Sequence, residues 1–258
     1  MIGRLAILLY GVFSYLVFFA TFLYAIAFLG DFGVPKSIDS GPQGRLGAAL
    51  AINSLLLVLF AIQHSVMARP WFKRTWTRIV PAAAERSTYV LFASLAMILL
   101  FWKWQPMGGL IWELDSSIGR VLAYGIYVFG WGLLLLATFL IDHFDLFGLR
   151  QVYLNFRGRA YTGLQFRTPS LYRYVRHPIY VGWLCIFWAT PRMTVAHLVF
   201  ALATTAYILI AIQWEESDLL RAHGEAYQRY REQVPKLIPM SLSRKRVSGS
   251  PVADQQAL

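Results

Sequence analysis

Residues Leu5–Leu29 read LAILLYGVFSYLVFFATFLYAIAFL, an uninterrupted apolar run without a single charge. About 25 residues of helix are enough to cross roughly 30 Å of hydrocarbon with some tilt. The run is too long and too aromatic for the core of a secretory signal, and no small-residue cleavage site follows it. Comparable runs lie at Leu46–Met67, Ser87–Trp102 and Val121–Ile141. The fourth carries YGIYVFGWG, glycines spaced as close helix packing in lipid permits. The whole chain agrees: 57% of its 258 residues are hydrophobic and 14% charged, where a soluble domain has roughly 25% charged. The sequence therefore predicts an all-α, polytopic membrane helix bundle.

The formal net charge of +11 is distributed along the chain in a way that excludes a nucleic-acid partner. Between the second and third runs lie Arg69, Lys73, Arg74, Arg78 and Arg86 against Glu85. After the fourth come Arg150, Arg157, Arg159, Arg167, Arg173 and Arg176 against Asp142 and Asp145. The other two connections balance their charges. Basic connections stay in the cytoplasm, so both termini are expected there. The single cysteine, Cys185, sits in an apolar stretch and reads as a small buried hydrophobe; a cysteine-built metal site is excluded, and none of another kind is expected.

The last third of the chain is different. YRYVRHPIYVG (Tyr172–Gly182) is a basic, proline-broken elbow at the mouth of Ile179–Thr190, an apolar limb of only about a dozen residues. Pro191 breaks it, and Val195–Trp214 runs back to an adjacent pair of acids, Glu215 and Glu216. This predicts four full spans plus a C-terminal helical hairpin, five to six membrane helices in all. Beyond the acids, Leu219, Leu220, His223, Tyr227, Tyr230 and Val234 form one stripe of a cytoplasmic amphipathic helix ending at Pro235. Residues 1–240 read as a single membrane domain and 241–258 as a disordered cytoplasmic tail.

This topology delivers four segments to one membrane level. His64 ends the second run, Asp142, His143 and Asp145 end the fourth, and the elbow and the Glu pair join them. Ionisable groups at that depth are functional candidates. Each has a plainer reading too: His64 as a helix-end interfacial residue, Asp142 and Asp145 as counter-ions to nearby arginines, Arg173 and Arg176 snorkelling to headgroups, the Glu pair opening a solvated helix.

RHPIYVGW (Arg176–Trp183), about thirty further residues, and then WEESDLLRAHGEAYQRYREQVPKLIP (Trp214–Pro239) together resemble the C-terminal signature of integral membrane methyltransferases. That group includes the isoprenylcysteine carboxyl methyltransferases and the phospholipid N-methyltransferases. QHSVMARPWFK (Gln63–Lys73) and DHFDLFGLRQ (Asp142–Gln151) look like the NnrU-like branch, and more closely like bacterial methanethiol S-methyltransferases. The resemblance implies an S-adenosylmethionine site in a bacterial inner membrane, open to the cytoplasm. It places His177 and Tyr180 at the cofactor. Arg173 and Arg176 suit its carboxylate, because a guanidinium donates two parallel hydrogen bonds. Glu215 and Glu216 suit its ammonium or ribose hydroxyls. Gly182 lets a ligand or another helix approach the backbone.

The resemblance further implies methanethiol as acceptor and dimethyl sulfide as product. His64, or an Asp142–His143 unit, would be the base, and Phe144 and Phe147 would line a small apolar pocket. Methylation of a prenylcysteine carboxylate or of a phospholipid amine is the alternative within the group. Outside it, His64, His143 and His177 could ligate haem in an electron-transfer protein. The sequence is silent on oligomeric state.

Overall fold

A computed structural model describes residues 1–164 and 166–239; the expected tail lies outside the described residues. Five helices are long and apolar enough to cross a membrane: α1 (Ile2–Gly30), α2 (Leu46–Ala68), α4 (Ala82–Lys103), α5 (Ser117–Ile141) and α9 (Val195–His223). Shorter elements join them: α3 (Pro70–Trp76), strand β1 (Leu110–Glu113), α6 (His143–Leu146), α7 (Leu149–Phe156), α8 (Pro178–Trp188), strand β2 (Arg192–Thr194) and α10 (Glu225–Gln233). Outward faces carry residues such as Leu55, Val58 and Ile62 on α2 and Val121, Val128 and Phe139 on α5, all exposed. In a bilayer, acyl chains cover them. The inner faces bury Phe28, Leu100, Phe101, Ile186, Phe200 and Ile212 in one cluster.

Glycine sets the tightest contact. α5 lies against α8 with Gly130 facing Gly182, and a Cβ placed on either would sit 2.8 Å from the carbonyl oxygen of the other. Gly182 thus serves the approach of another helix, and α5 backbone fills the space a ligand would need. α7 crosses α1 in the same manner, with Val152 packed on the bare Cα of Gly11.

The end of the bundle away from the basic connections is tied by polar pins. The Asn53 amide donates to the Gln105 carbonyl at 2.7 Å and accepts from the Gln105 N–H at 2.8 Å. Trp104 Nε1 donates to the Ile38 carbonyl. The α8–α9 turn reaches this same end, because β2 pairs antiparallel with β1 and the Leu114 N–H bonds Pro191. α8 has only 11 residues, about 16 Å of helix, and extended residues cover the remaining distance at about 3.3 Å each. The short limb therefore starts at the elbow and still reaches this end of the bundle.

One expected element divides. α9 runs unbroken through Glu215 and Glu216 to His223, then stops at Gly224, whose φ of +53° and ψ of −128° suit glycine alone. The amphipathic stripe thus splits between the end of α9 and α10, which folds back toward the elbow.

Candidate functional site

The elbow is built by backbone bonds from a distant segment. A short 3-10 turn at Ser170–Arg173 leads to Pro178 at the first position of α8. The Arg176 N–H donates to the Pro235 carbonyl at 2.9 Å and the His177 N–H to the Lys236 carbonyl at 3.2 Å. The Tyr230 hydroxyl donates to the Tyr172 carbonyl at 2.6 Å. Chain beyond α10 therefore straps the elbow and fixes which way Arg176 and His177 face.

Both face the Glu pair. Arg176 Nη2 lies 2.7 Å and His177 Nε2 3.1 Å from Oε1 of Glu216, and Lys236 Nζ is 3.9 Å from its other oxygen. Glu216 is 4% exposed, so a buried carboxylate is matched by a buried guanidinium with further hydrogen bonds, the condition under which burying charge is tolerable. Glu215 points elsewhere, since successive residues on a helix diverge by about 100°. Its side chain keeps 44% of its surface accessible, and its Oε2 accepts from the Tyr180 hydroxyl at 2.9 Å and lies 3.8 Å from His177 Nδ1, so His177 stands between the two carboxylates. Arg176 Nε is buried without a partner among the described residues. Arg173 is exposed and forms no ion pair among the described residues.

His64 belongs to a neighbouring cluster. Its ring stacks on Phe60, and the Tyr89 hydroxyl lies 2.9 Å from Nε2 and 3.0 Å from Nδ1. One position along, Ser65 shares a 2.9 Å hydrogen bond with the hydroxyl of Tyr207 on α9. Arg69 then pairs with Asp218 at 2.8 Å, clamping the same ends of α2 and α9.

Asp142 and His143 do not hydrogen-bond to each other. His143 is buried with both ring nitrogens engaged, Nδ1 by Thr138 Oγ1 and Nε2 by the Tyr15 hydroxyl, each at 2.9 Å. Burial pushes its imidazole below the usual range, against the opposing pull of Asp142. Asp142, at φ +151°, ends α5 and caps α6 by accepting from the Asp145 N–H. Asp145 pairs with Arg150 at 2.9 Å. Phe144 is 52% exposed, and Phe147 stacks on Phe18 with centroids 3.9 Å apart. This group pins α5 and α6 to α1. The three histidines His64, His143 and His177 are each held by different protein partners.

A family model described as phospholipid methyltransferase matches residues 122–226, from α5 through the Glu pair. A methanethiol S-methyltransferase of Crocosphaera subtropica is 57% identical over 238 residues, covering 92% of this chain and 93% of the relative. One from Mycobacterium tuberculosis is 51% identical over 236 residues, with 92% and 97% covered. The chain belongs to the methanethiol S-methyltransferase family. The likeness extends to nurim of Mus musculus, 30% identical over 207 residues, with 72% and 78% covered. No solved structure matches. The protein is thus a membrane methyltransferase, and its chemistry needs a methyl donor.

Within this methyltransferase, the geometry adds residues that sequence reasoning left without a role. Lys236, Tyr230 and Tyr172 complete the elbow, and only the Gly-x-x-Tyr-x-x-Tyr-x-x-x-Val-Pro pattern around Gly224–Pro235 hinted at that strap. Tyr89 and Tyr207 stand in apolar helices and read there as interfacial or core aromatics. Nothing in their local sequence marks Tyr89 as a neighbour of His64 or Tyr207 as a neighbour of Ser65.

Proposed function

We propose that the enzyme transfers a methyl group from S-adenosylmethionine to a small thiol, with methanethiol the acceptor and dimethyl sulfide the product. One observation carries the reading: Arg176, His177 and Tyr180 converge on Glu215 and Glu216 where the hairpin helices meet. The acceptor comes from the names of the relatives. The residues suit the donor. Glu215 has a partly accessible carboxylate whose Oε1 accepts nothing from the described residues, matching an ammonium or ribose hydroxyl. Arg176, already paired with Glu216, keeps one N–H donor, at Nε, without a partner among the described residues, and a carboxylate oxygen could accept from it. S-adenosylmethionine supplies an electrophilic methyl on a sulfonium.

The chain's own work is to hold, exclude water and move one proton. Glu216 keeps Arg176 and His177 in place rather than reaching the ligand itself. A thiol attacks as thiolate and must lose its proton, since alkyl thiols are no more acidic than the cysteine value of about 8.5. His64 is the base in this reading. With the Tyr89 hydroxyl accepting from the N–H of one ring nitrogen, the other is left as the acceptor for a substrate proton. In this reading the site and both termini lie on the cytoplasmic side of a bacterial inner membrane, which the charge asymmetry of the connections supports.

Headspace gas chromatography of detergent-purified protein given both compounds tests the function. Dimethyl sulfide formed only when both are present is expected; its absence although S-adenosylmethionine binds would remove the thiol and leave the donor site standing.

A further inference from the structure

The basic end of the bundle carries a groove that the clamp does not use. There α1 and α4 are pinned by the Tyr10 hydroxyl, which donates to Thr88 Oγ1 at 2.9 Å. Beside the pin lies an open groove of about 320 Å³, walled by Ala6 and Ile7 on α1 and by Val80, Pro81 and Ala84 opposite. Two alanines and a proline are too small to fill it. The one polar pair that borders it is already satisfied, because Thr88 passes its own proton to the Ala84 carbonyl at 2.8 Å. The rest of the lining is hydrocarbon, which suits an alkyl chain and penalises a polar occupant.

The rim has the opposite character. Arg78 stands exposed two residues before Val80. On α1, Arg4 is exposed one turn before Ile7, and a Cβ on Gly158 would sit 2.7 Å from its Nη1. Arg4 therefore reaches the chain after α7, where Arg157 and Arg159 are exposed on either side of that glycine. None of these four arginines has an ion-pair partner among the described residues, whereas Arg69, Arg150 and Arg176 do. The acid nearest in sequence to the groove is Glu85, half-buried in the first turn of α4. A positive rim beside an apolar groove matches an amphiphile with an anionic head, and a bilayer supplies one.

We propose that the α1–α4 groove binds one anionic phospholipid, an acyl chain against Ala6, Pro81 and Ala84 and the phosphate on Arg4 and Arg78. Guanidinium suits that phosphate because its fork donates two parallel hydrogen bonds. Diffuse attraction of headgroups to a basic surface needs no groove; the groove makes this a site with a stoichiometry. The bound lipid braces α1 against α4 by filling the gap their side chains leave. The site shares no residue with the clamp. The lipid thus belongs to the scaffold and is not the methyl acceptor, and the inference stands apart from the thiol reading.

The test follows the thermal midpoint of the full chain in neutral detergent as phosphatidylglycerol or phosphatidylcholine with the same acyl chains is added. The midpoint is expected to rise saturably, by about 2 °C or more, with the anionic lipid and by less with the zwitterionic one. Native mass spectrometry of the same sample should show one retained anionic lipid per chain. Ala6→Trp puts a ring into the groove with the cations in place, and should abolish both the rise and the retained lipid. Arg4→Gln combined with Arg78→Gln should do the same with the groove open. All three positions are exposed, so the packed core is left alone. An undiminished rise in Ala6→Trp overturns the site in favour of diffuse charge attraction. An equal rise with glycerol phosphate, which has the head without the chains, also overturns it. Equal responses to the two lipids overturn the anionic assignment. Should Ala6→Trp not fold, a rise that survives in the arginine double variant overturns the inference by itself.

Discussion

Glu215 and Glu216 are adjacent, identical in chemistry and different in duty. Glu216 is sealed against Arg176 and His177, so truncating it leaves a buried guanidinium uncompensated, a loss of about 3–5 kcal/mol. Glu216→Ala should accordingly lower the thermal midpoint in detergent and lose donor binding with it. Glu215→Gln should melt near wild type while donor affinity, followed by calorimetry, drops by tenfold or more. Equal melting points with equal affinity losses would refute this division.

His64 and His143 separate in the same way. His64→Ala should cut turnover by about 10²-fold or more with little change in donor affinity, as expected for a lost general base. Tyr89→Phe should fall between it and wild type, and initial rates beside calorimetry distinguish the two effects. His143 is buried neutral, with its imidazole held below its ordinary value. The unfolded chain then binds the proton more readily than the folded one, so stability is lost as pH falls below about 6.5 toward the lower folded value. The melting temperature should decline between pH 7 and 5, and less steeply in His143→Gln. An identical slope in both would show that other groups govern the acid response.

Among the elements, α8 depends on a residue with no side chain. In an exposed helix, glycine to alanine would stabilise by roughly 1 kcal/mol. Gly182→Ala is expected to do the opposite, by about 1–3 kcal/mol, because its new Cβ meets the Gly130 carbonyl at 2.8 Å. The sign of the shift in thermal midpoint decides the matter. The long helices α1, α2, α4 and α5 were legible from hydropathy, since each must present apolar surface to lipid all along its length. The β1–β2 ribbon was not. Strands of four and three residues carry no periodicity, and their pairing joins segments about 80 residues apart. The break between α9 and α10 hides similarly: glycine in a polar helical stretch is compatible with continuity until the backbone is seen at positive φ.

For the molecule as a whole, the charge asymmetry predicts orientation. With Cys185 replaced by alanine, an impermeant maleimide should label Ser117→Cys in intact cells and Thr77→Cys only after lysis, both positions being exposed at opposite ends of the bundle. Reversed labelling would invert the proposed topology. Membrane residence, the number of long spans and the presence of a basic elbow and an acidic pair follow from composition and order alone, because hydropathy, charge and proline act locally along a chain. Which carboxylate is buried, that Gly182 meets a helix, that His143 is a pin, and that Tyr89 meets His64 and Tyr207 meets Ser65 follow from packing. Neighbours on one helix diverge by about 100°, and residues more than a hundred positions apart meet only when the helices are set side by side.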